Sequence, residues 1–533
     1  MATAKKTAKK TAKKAAAKKA VVKKPAAKKP AAKKPAAKKH ASSKTSVRVR
    51  MYRQGLGDCF LLTFNEKTKP YHMLVDCGTL GATTTGNTMK DIVADIVTTT
   101  GGHLDLLVAT HEHKDHVSGF ASQRAAFDGM TVDQVWAAWT ENPDDDLAQE
   151  VSKYKGDLGA AVAMAANAFA AARSTSVSIN AAARRTHEAV SGLLDFVGHA
   201  GGDGVFGADF AETVHEAMEY VRTRAGDPPD YLNPGDLRQP KQLPNVRFYV
   251  LGPPRDLSKL KNEGEHGSKD LYSITGAYAE SLSSSVRFAG SGLSLGDYHA
   301  SLSPAERSDF EGMLPFDPRF NIDASDQSDI AARFPDYYDA GADWRRIDHD
   351  WLNGASDLAL QLDSYTNNTS LALAIELVDS GQVLLFPADA QLGNWLSWHE
   401  PVWKVKDDSG LTHDVKASQL LARTVFYKAG HHASHNATAN PRGFELIEQD
   451  DLVVFIPVDR KVAMKKTPPW VMPADALYTR LVQKASGRVV RSDTLWPEDK
   501  HRPDAMSAAE WKQVRKDAPV DDSNRLYVDY LLG

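Results

Sequence analysis

Apolar and polar positions alternate from residue 47 onward in VRVRMYRQG, the period of a strand with one buried face. Two apolar runs follow, GDCFLLTF at 57–64 and YHMLVDCG at 71–78. The polar stretch NEKTKP joins them, which predicts a hairpin. Residues 87–102 (NTMKDIVADIVTTTGG) switch to apolar positions three and four apart and stop at a Gly-Gly pair, predicting a helix with a glycine cap. LDLLVAT at 104–110 is a short apolar run suited to a buried strand. The same texture returns later. VRFYVLGPP at 246–254, SLALAIELVDSGQVLLFPAD at 370–389, TVFYKAG at 424–430 and DLVVFIPVDR at 451–460 read as strands. ADALYTRLVQKASGRVVRSD at 474–493 reads as a helix closing the set. Strands interleaved with helices place the chain in the α/β class.

Two long stretches break this alternation. Residues 121–230 are Ala-rich and helical in pattern, as in DLGAAVAMAANAFAAARS and DFAETVHEAMEYVRTRAG. Residues 256–350 are irregular and rich in Ser, Asp, Gly and aromatic residues. Both are expected as insertions in the strand-bearing core, serving either as a cap over a site or as peripheral packing or an oligomer contact.

Residues 1–45 have no such texture. They run through Lys-Lys pairs spaced by Ala, Thr and Pro, and residues 1–50 hold 17 Lys and 2 Arg with no acidic residue. The remaining 46 basic and 68 acidic residues give residues 51–533 a charge of −22, so the formal net charge of −3 joins a polycation to an acidic body. A segment of this kind buries too little to offset its ordering entropy, and it is expected to be a disordered tail. Each lysine can neutralise a phosphate and release a counterion, so sequence-nonspecific, salt-sensitive binding to nucleic acid is the expected partnership. A solubilising arm that folds back on the acidic body is the alternative. The composition resembles the tails of linker-histone-like and nucleoid-associated proteins.

At 533 residues the chain exceeds the ~250–300 at which one core stops growing. The expected organisation is a tail over 1–45 and one heavily decorated domain over 46–533. No run approaches the ~20 apolar residues of a membrane helix. No apolar segment follows the N-terminal lysines, so a cytoplasmic, possibly nucleoid-associated address is expected. Cys59 and Cys77 are too few for a disulfide framework and are expected as reduced, packed thiols.

The chemistry gathers where LDLLVAT ends. His111, His113, Asp115 and His116 fall within six residues, and three imidazoles with a carboxylate suit a borderline cation such as zinc. In an extended loop His111 and His113 can converge on one ion while Asp115 and His116 face a second.

This His-x-His-x-Asp-His run, with the preceding strand ending at Asp76, resembles the metallo-β-lactamase superfamily. Asn367-Asn368-Thr369-Ser370, the strand ending in Asp389, and His431-His432-Ala433-Ser434 narrow the likeness. They are similar to motifs of the hydrolase domain attached to bacterial DNA-uptake channels of the ComEC type and its free-standing relatives. Ala388 and Ala433 stand where that branch usually has Gly. The resemblance covers about half the chain and implies an αββα sandwich binding one or two metals at the sheet edge, Zn²⁺ or alternatively Mn²⁺ or Fe. It implies metal ligation by His111, His113, Asp115, His116, Asp389 (bridging) and His432, with His431 near substrate and Asp76 orienting a ligand from behind. Lys428 or His431 is expected to stabilise an anionic transition state. A further ligand found in many members has a faint counterpart in His199. His187 and His215 sit inside helical patterns, and His435 is a poorer candidate than the His431–His432 pair.

These residues imply metal-assisted hydrolysis by a metal-bound hydroxide. A phosphodiesterase or nuclease held near nucleic acid by the tail is the first expectation. The alternatives are a hydrolase of a small ester, thioester, lactone or phosphorylcholine-type substrate, and a nucleoid-associated binding protein with a vestigial site. One fold of this kind hosts many reactions, so substrate does not follow from fold.

Overall fold

The computed structural model describes residues 45–65, 69–175, 181–197, 208–261, 295–304, 306–307, 332–333, 351–407, 409–466, 469–494, 496, 502 and 506–533. The lysine-rich tail and most of the irregular stretch 256–350 lie outside these residues, as does His199.

β1 (Ser46–Tyr52), β2 (Cys59–Asn65) and β3 (Pro70–Cys77) form an antiparallel meander. The alternation of the sequence is realised directly, since Val47, Val49 and Met51 enter the core. Helix α1 (Met89–Thr100) follows. Thr88 and Asp91 close a capping box at its start, and Gly101 ends it at φ 64°, the left-handed conformation glycine adopts without strain. β4 (His103–Val108), β5 (Thr131–Ala138) and β6 (Asp230–Leu232) extend the sheet as parallel strands. Between β4 and β5 lies α2 (Lys114–Ser122). Between β5 and β6 lie α3 (Asp146–Thr175), α4 (Ala181–Val197) and α5 (Ala208–Arg222).

The second sheet repeats the plan. β7 (Leu237–Arg238), β8 (Val246–Gly252), β9 (Ala372–Leu377) and β10 (Gln382–Phe386) run antiparallel. Helix α6 (Trp351–Asn368) precedes β9, and a separate hairpin of β11 (Val402–Lys406) and β12 (Thr412–Lys416) follows β10. β13 (Thr424–Lys428), β14 (Val453–Ile456) and β15 (Val489–Arg491) then add in parallel. Helix α7 (Asp475–Lys484) lies between β14 and β15. The last strands, β16 (Val520–Asp521) and β17 (Tyr527–Leu532), return to the first sheet, where β17 pairs with β1.

One apolar cluster takes Val49, Phe60 and Val108 from the first sheet and Phe248, Ile375 and Phe426 from the second, so the sheets share a core. The other face of the first sheet meets α1, α2 and α5 through Ile92, Val117 and Met218. The other face of the second sheet carries Trp395, Trp403 and Leu481. Cys59 and Cys77 stand opposite each other in the β2–β3 register as buried free thiols. Among the described residues no helix is long and apolar enough to cross a membrane.

Two expectations differ. Residues 131–138 were expected to be helical with the rest of 121–230, yet they form β5, with Val135 and Trp136 buried. The apolar spacing of TVDQVWAA mimics a helix, and pairing on both edges with β4 and β6 overrides it. Residues 489–491 were expected to continue the helix read over 474–493, yet α7 ends at Lys484 and they form β15.

Candidate metal centre

In both sheets the parallel strands deliver their carboxyl ends to one edge, where α/β folds place their ligands. β3 ends beside Asp76. Beyond β4 the chain runs through Thr110 to His113, which is extended (φ −119°, ψ 149°), and enters α2 with Asp115 and His116 in its first turn. This turn is seated very closely on the loops behind it. The Asp58 N–H donates to the Asp115 carbonyl at 2.8 Å. A Cβ on Gly78 would lie 2.2 Å from the Asp115 carbonyl carbon and 2.3 Å from the His116 nitrogen, so only glycine fits there.

From the second sheet, Asp389 follows β10 and His431 and His432 follow β13. The backbone here is strained: Ala388, His431, His432 and Ala433 have φ of 52°, 45°, 52° and 62°, and Asp76 across the edge has 56°. Side chains disfavour this left-handed region, and residues held there gather at functional sites. Both positions where glycine was noted as replaced, Ala388 and Ala433, are therefore ones whose backbone favours glycine. The buried Asn367–Ser370 segment supports the Asp389 loop. The Asp389 N–H donates to Ser370 Oγ (3.2 Å), and the Asn394 amide donates to the Asn368 and Ser370 carbonyls at 3.0 Å each.

Asp115, His116, Asp389 and His432 each offer a ligand atom, and the four atoms lie within 4.8 Å of one another. His432 Nε2 is 2.6 Å from Asp115 Oδ2, and His116 Nε2 is 3.2 Å from Asp389 Oδ2. The far nitrogens of both rings are already engaged. His116 Nδ1 meets Asp76 Oδ2 at 2.8 Å, and His432 Nδ1 meets the Pro457 carbonyl at 2.6 Å. With those nitrogens donating, each Nε2 is the ring atom turned toward the cluster, the arrangement that orients metal-binding imidazoles. Asp76 is itself fixed by the backbone N–H and hydroxyl of Thr110, at 2.8 and 2.7 Å. His111 Nε2 and His113 Nδ1 face each other at 3.0 Å beside this group, and their loop carries the other potential ligands.

The donor set fits a cation. Asp115 Oδ1 and His113 Nε2 are buried and lack hydrogen-bond partners, and His116 Nε2 and Asp389 Oδ2 have only each other, a combination that is costly unless something satisfies them. Electrostatics agree. Burial holds His111 well below its ordinary pKa and pushes His113 down to about 3, so both rings are neutral donors. At His116 burial acts the same way but is outweighed by Asp389, Asp115, Asp58 and Asp76, which hold the ring well above its usual value. Burial raises Asp389, yet Lys428 and His116 draw it well below the usual carboxylate range. The four carboxylates thus create a field that a divalent cation neutralises.

Of the paired histidines, His432 lies in the four-residue group. His431 sends its backbone N–H to Asp389 Oδ1 (2.9 Å) and keeps a buried, unpartnered Nδ1. His435 is exposed, and His215 is exposed and paired with Glu112 at 3.5 Å. Lys428, expected alongside His431 to stabilise an anionic transition state, is buried between the carboxylates of Asp58 (2.5 Å) and Asp389 (3.0 Å). Asp58 was not anticipated. It also lies with Asp76 and His116 in a second group of potential ligands, and its only sequence signal is a carboxylate inside the apolar run GDCFLLTF. Asp363 of α6, 3.9 Å from His113 Nε2, was likewise unforeseen. Phe196 of α4 covers His113 with ring centroids 4.5 Å apart.

In comparisons with known proteins, no family model and no curated protein sequence matches this chain.

Proposed function

We propose that the chain is a metal-dependent hydrolase of the metallo-β-lactamase type, its two sheets and outer helices forming that superfamily's αββα sandwich, and that it acts as a phosphodiesterase or nuclease. The observation that carries this reading is the convergence of the buried Asp115, His116, Asp389 and His432, whose ligand atoms lie within 4.8 Å of one another. His111 and His113 supply donors for a second ion. Zinc, or manganese or iron on the same ligands, supplies an acidified water and neutralises charge developing on oxygen.

The chain's own residues supply the rest. Asp76 fixes the tautomer of His116, and Pro457 fixes that of His432. Lys428 ties Asp389 to Asp58 and keeps the bridging carboxylate ionised. His431, whose pKa burial pushes down to about 4, is neutral at the cluster's edge and suited to meet a substrate oxygen. The lysine-rich tail concentrates the acidic body on nucleic acid that it would otherwise repel. A cytoplasmic, nucleoid-associated address belongs to the same proposal.

One observation favours the small-substrate reading. His111, His113, Asp115, His116 and Asp389 are each 0% exposed, beneath a helical layer that includes Phe196. A small ester, thioester or lactone reaches such a centre with less rearrangement than a duplex does. The test is incubation of the full chain with labelled single- and double-stranded DNA and with a panel of small esters, in Zn²⁺ or Mn²⁺. Chelator and Asp115→Ala serve as controls. Metal-dependent DNA cleavage lost in the variant supports the nuclease. Ester hydrolysis alone moves the assignment to small substrates. Salt-sensitive DNA binding without any turnover leaves the vestigial-site reading.

A further inference from the structure

A cavity of about 520 Å³ lies on the other side of the metal-bearing loop, within the range of roughly 300–1,000 Å³ typical of small-molecule sites. The first insertion builds it. Thr140 and Glu141 come from the turn after β5, Lys153 and Lys155 from α3, and Arg222 from the end of α5. Glu112, between the two histidines of the loop, closes one wall.

Its polarity is specific. Lys155 Nζ lies 3.1 Å from Glu112 Oε2, and Arg222 Nη2 lies 2.9 Å from Glu141 Oε2. Lys153 adds a further, largely exposed ammonium 4.0 Å from Asp157, and Arg222 also pairs with Glu219. Among the lining residues Lys153, Lys155 and Arg222 face two carboxylates, Glu112 and Glu141. Three buried atoms have no hydrogen-bond partner: Thr140 Oγ1, Glu141 Oε1 and Arg222 Nε. Thr140 and Glu141 are each only 5% exposed. Unpartnered buried atoms of this kind call for a ligand able to satisfy them. Arg222 Nε–H needs an acceptor, Glu141 Oε1 needs a donor, and Lys153 attracts negative charge.

We propose that this cavity binds a hydroxylated phosphate ester of nucleotide size, its phosphate against Lys153 and Arg222 and a sugar hydroxyl on Glu141. The inference goes beyond the hydrolase reading, because it requires neither metal nor turnover.

Calorimetric titration of the full chain with deoxyadenosine 5′-monophosphate tests it. The tail is common to every variant, so differences between variants report the cavity. Lys153→Glu, an exposed change with no burden on the core, should weaken binding by about tenfold, the effect of one charge-assisted contact. Thr140→Val, a near-isosteric change, should weaken it several-fold, and both variants should melt like the wild type without ligand. Adenosine, lacking phosphate, should give no binding. Ribose 5-phosphate binding equally well assigns the site to sugar phosphates, and weaker binding assigns part of the affinity to the base. Unchanged nucleotide affinity in both variants, adenosine binding as tightly as the nucleotide, or no binding of either phosphate ester overturns the proposal.

Discussion

Gly78→Ala isolates the contact that seats the metal loop. Gly78 does not have the positive φ that would itself demand glycine, so the consequence of a side chain there is purely steric. The added Cβ would stand 2.2 Å from the Asp115 carbonyl carbon, 2.3 Å from its oxygen and 2.3 Å from the His116 nitrogen, against 3.4 Å for ordinary contact. All three are backbone atoms, and no rotamer change relieves them. The first turn of α2 must therefore retreat by about 1 Å, carrying Asp115 and His116 away from Asp389 and His432. Overpacking of this kind costs about 1–3 kcal/mol, and misplacing the groups that orient a metal ligand typically lowers affinity by about 10–100-fold. Gly81→Ala is the matched control. Gly81 has φ +86° but nothing within 4 Å of a new Cβ, so it carries backbone strain of about 1 kcal/mol without moving the loop. Urea denaturation gives the stability of each variant, and competition with a chromophoric chelator gives its zinc affinity. Equal zinc affinity in Gly78→Ala and Gly81→Ala would refute the reasoning, because loop seating would then have no hold on the ligands.

Lys428→Met leaves Asp58 and Asp389 without their buried cation, so the metal-free protein should lose about 3–5 kcal/mol, and zinc should restore more stability to the variant than to the wild type, as read by thermal melts. Ala388→Gly and Ala433→Gly release left-handed strain of about 1–2 kcal/mol, offset by about 0.5–1 kcal/mol of unfolded-state entropy, so each should be neutral to mildly stabilising in urea titrations. Glu445 is held below the usual carboxylate range first by its hydrogen bond to Arg480, outweighing burial and helped by Lys484. A depressed carboxylate stabilises above its unfolded pKa, and that contribution fades as pH falls through the folded value. Glu445→Gln should thus lower the melting temperature near neutrality, and the difference should shrink as the pH falls below the ordinary glutamate value of about 4.3.

The parts of the fold that could be read in advance are those where local pattern and tertiary role coincide. In β1 the alternating apolar positions Val47, Val49 and Met51 are the ones that enter the shared core, and in α1 the Thr88 and Gly101 caps are local chemistry. β5 escaped because its spacing imitates a helix and only its neighbours β4 and β6 decide the matter. β17 escaped because its partner β1 lies at the opposite end of the chain. The site divides in the same way. Asp115 and His116 stood out in a dense run of imidazoles and carboxylates, whereas Asp389 and His432 entered only through the resemblance of their motifs; the structure brings the four together. Asp58 was not legible, because its place depends on Lys428, far along the sequence, and a single buried aspartate carries no signature of its distant partner. Glu112 was hidden for a similar reason: standing between two histidines, it turns away from them to Lys155.

The ring of Phe196 against His113, and the complete burial of His113 together with His111, Asp115, His116 and Asp389, bear on the tempo of ion exchange as much as on its equilibrium. An ion leaving such a chamber must wait for α4 to separate from the loop, so residence time follows the opening rate of that helix and not the strength of the coordinate bonds alone. A chelator added in excess then removes metal at a pace independent of its own concentration. A metal held there would stay through transient shortages that strip an open site.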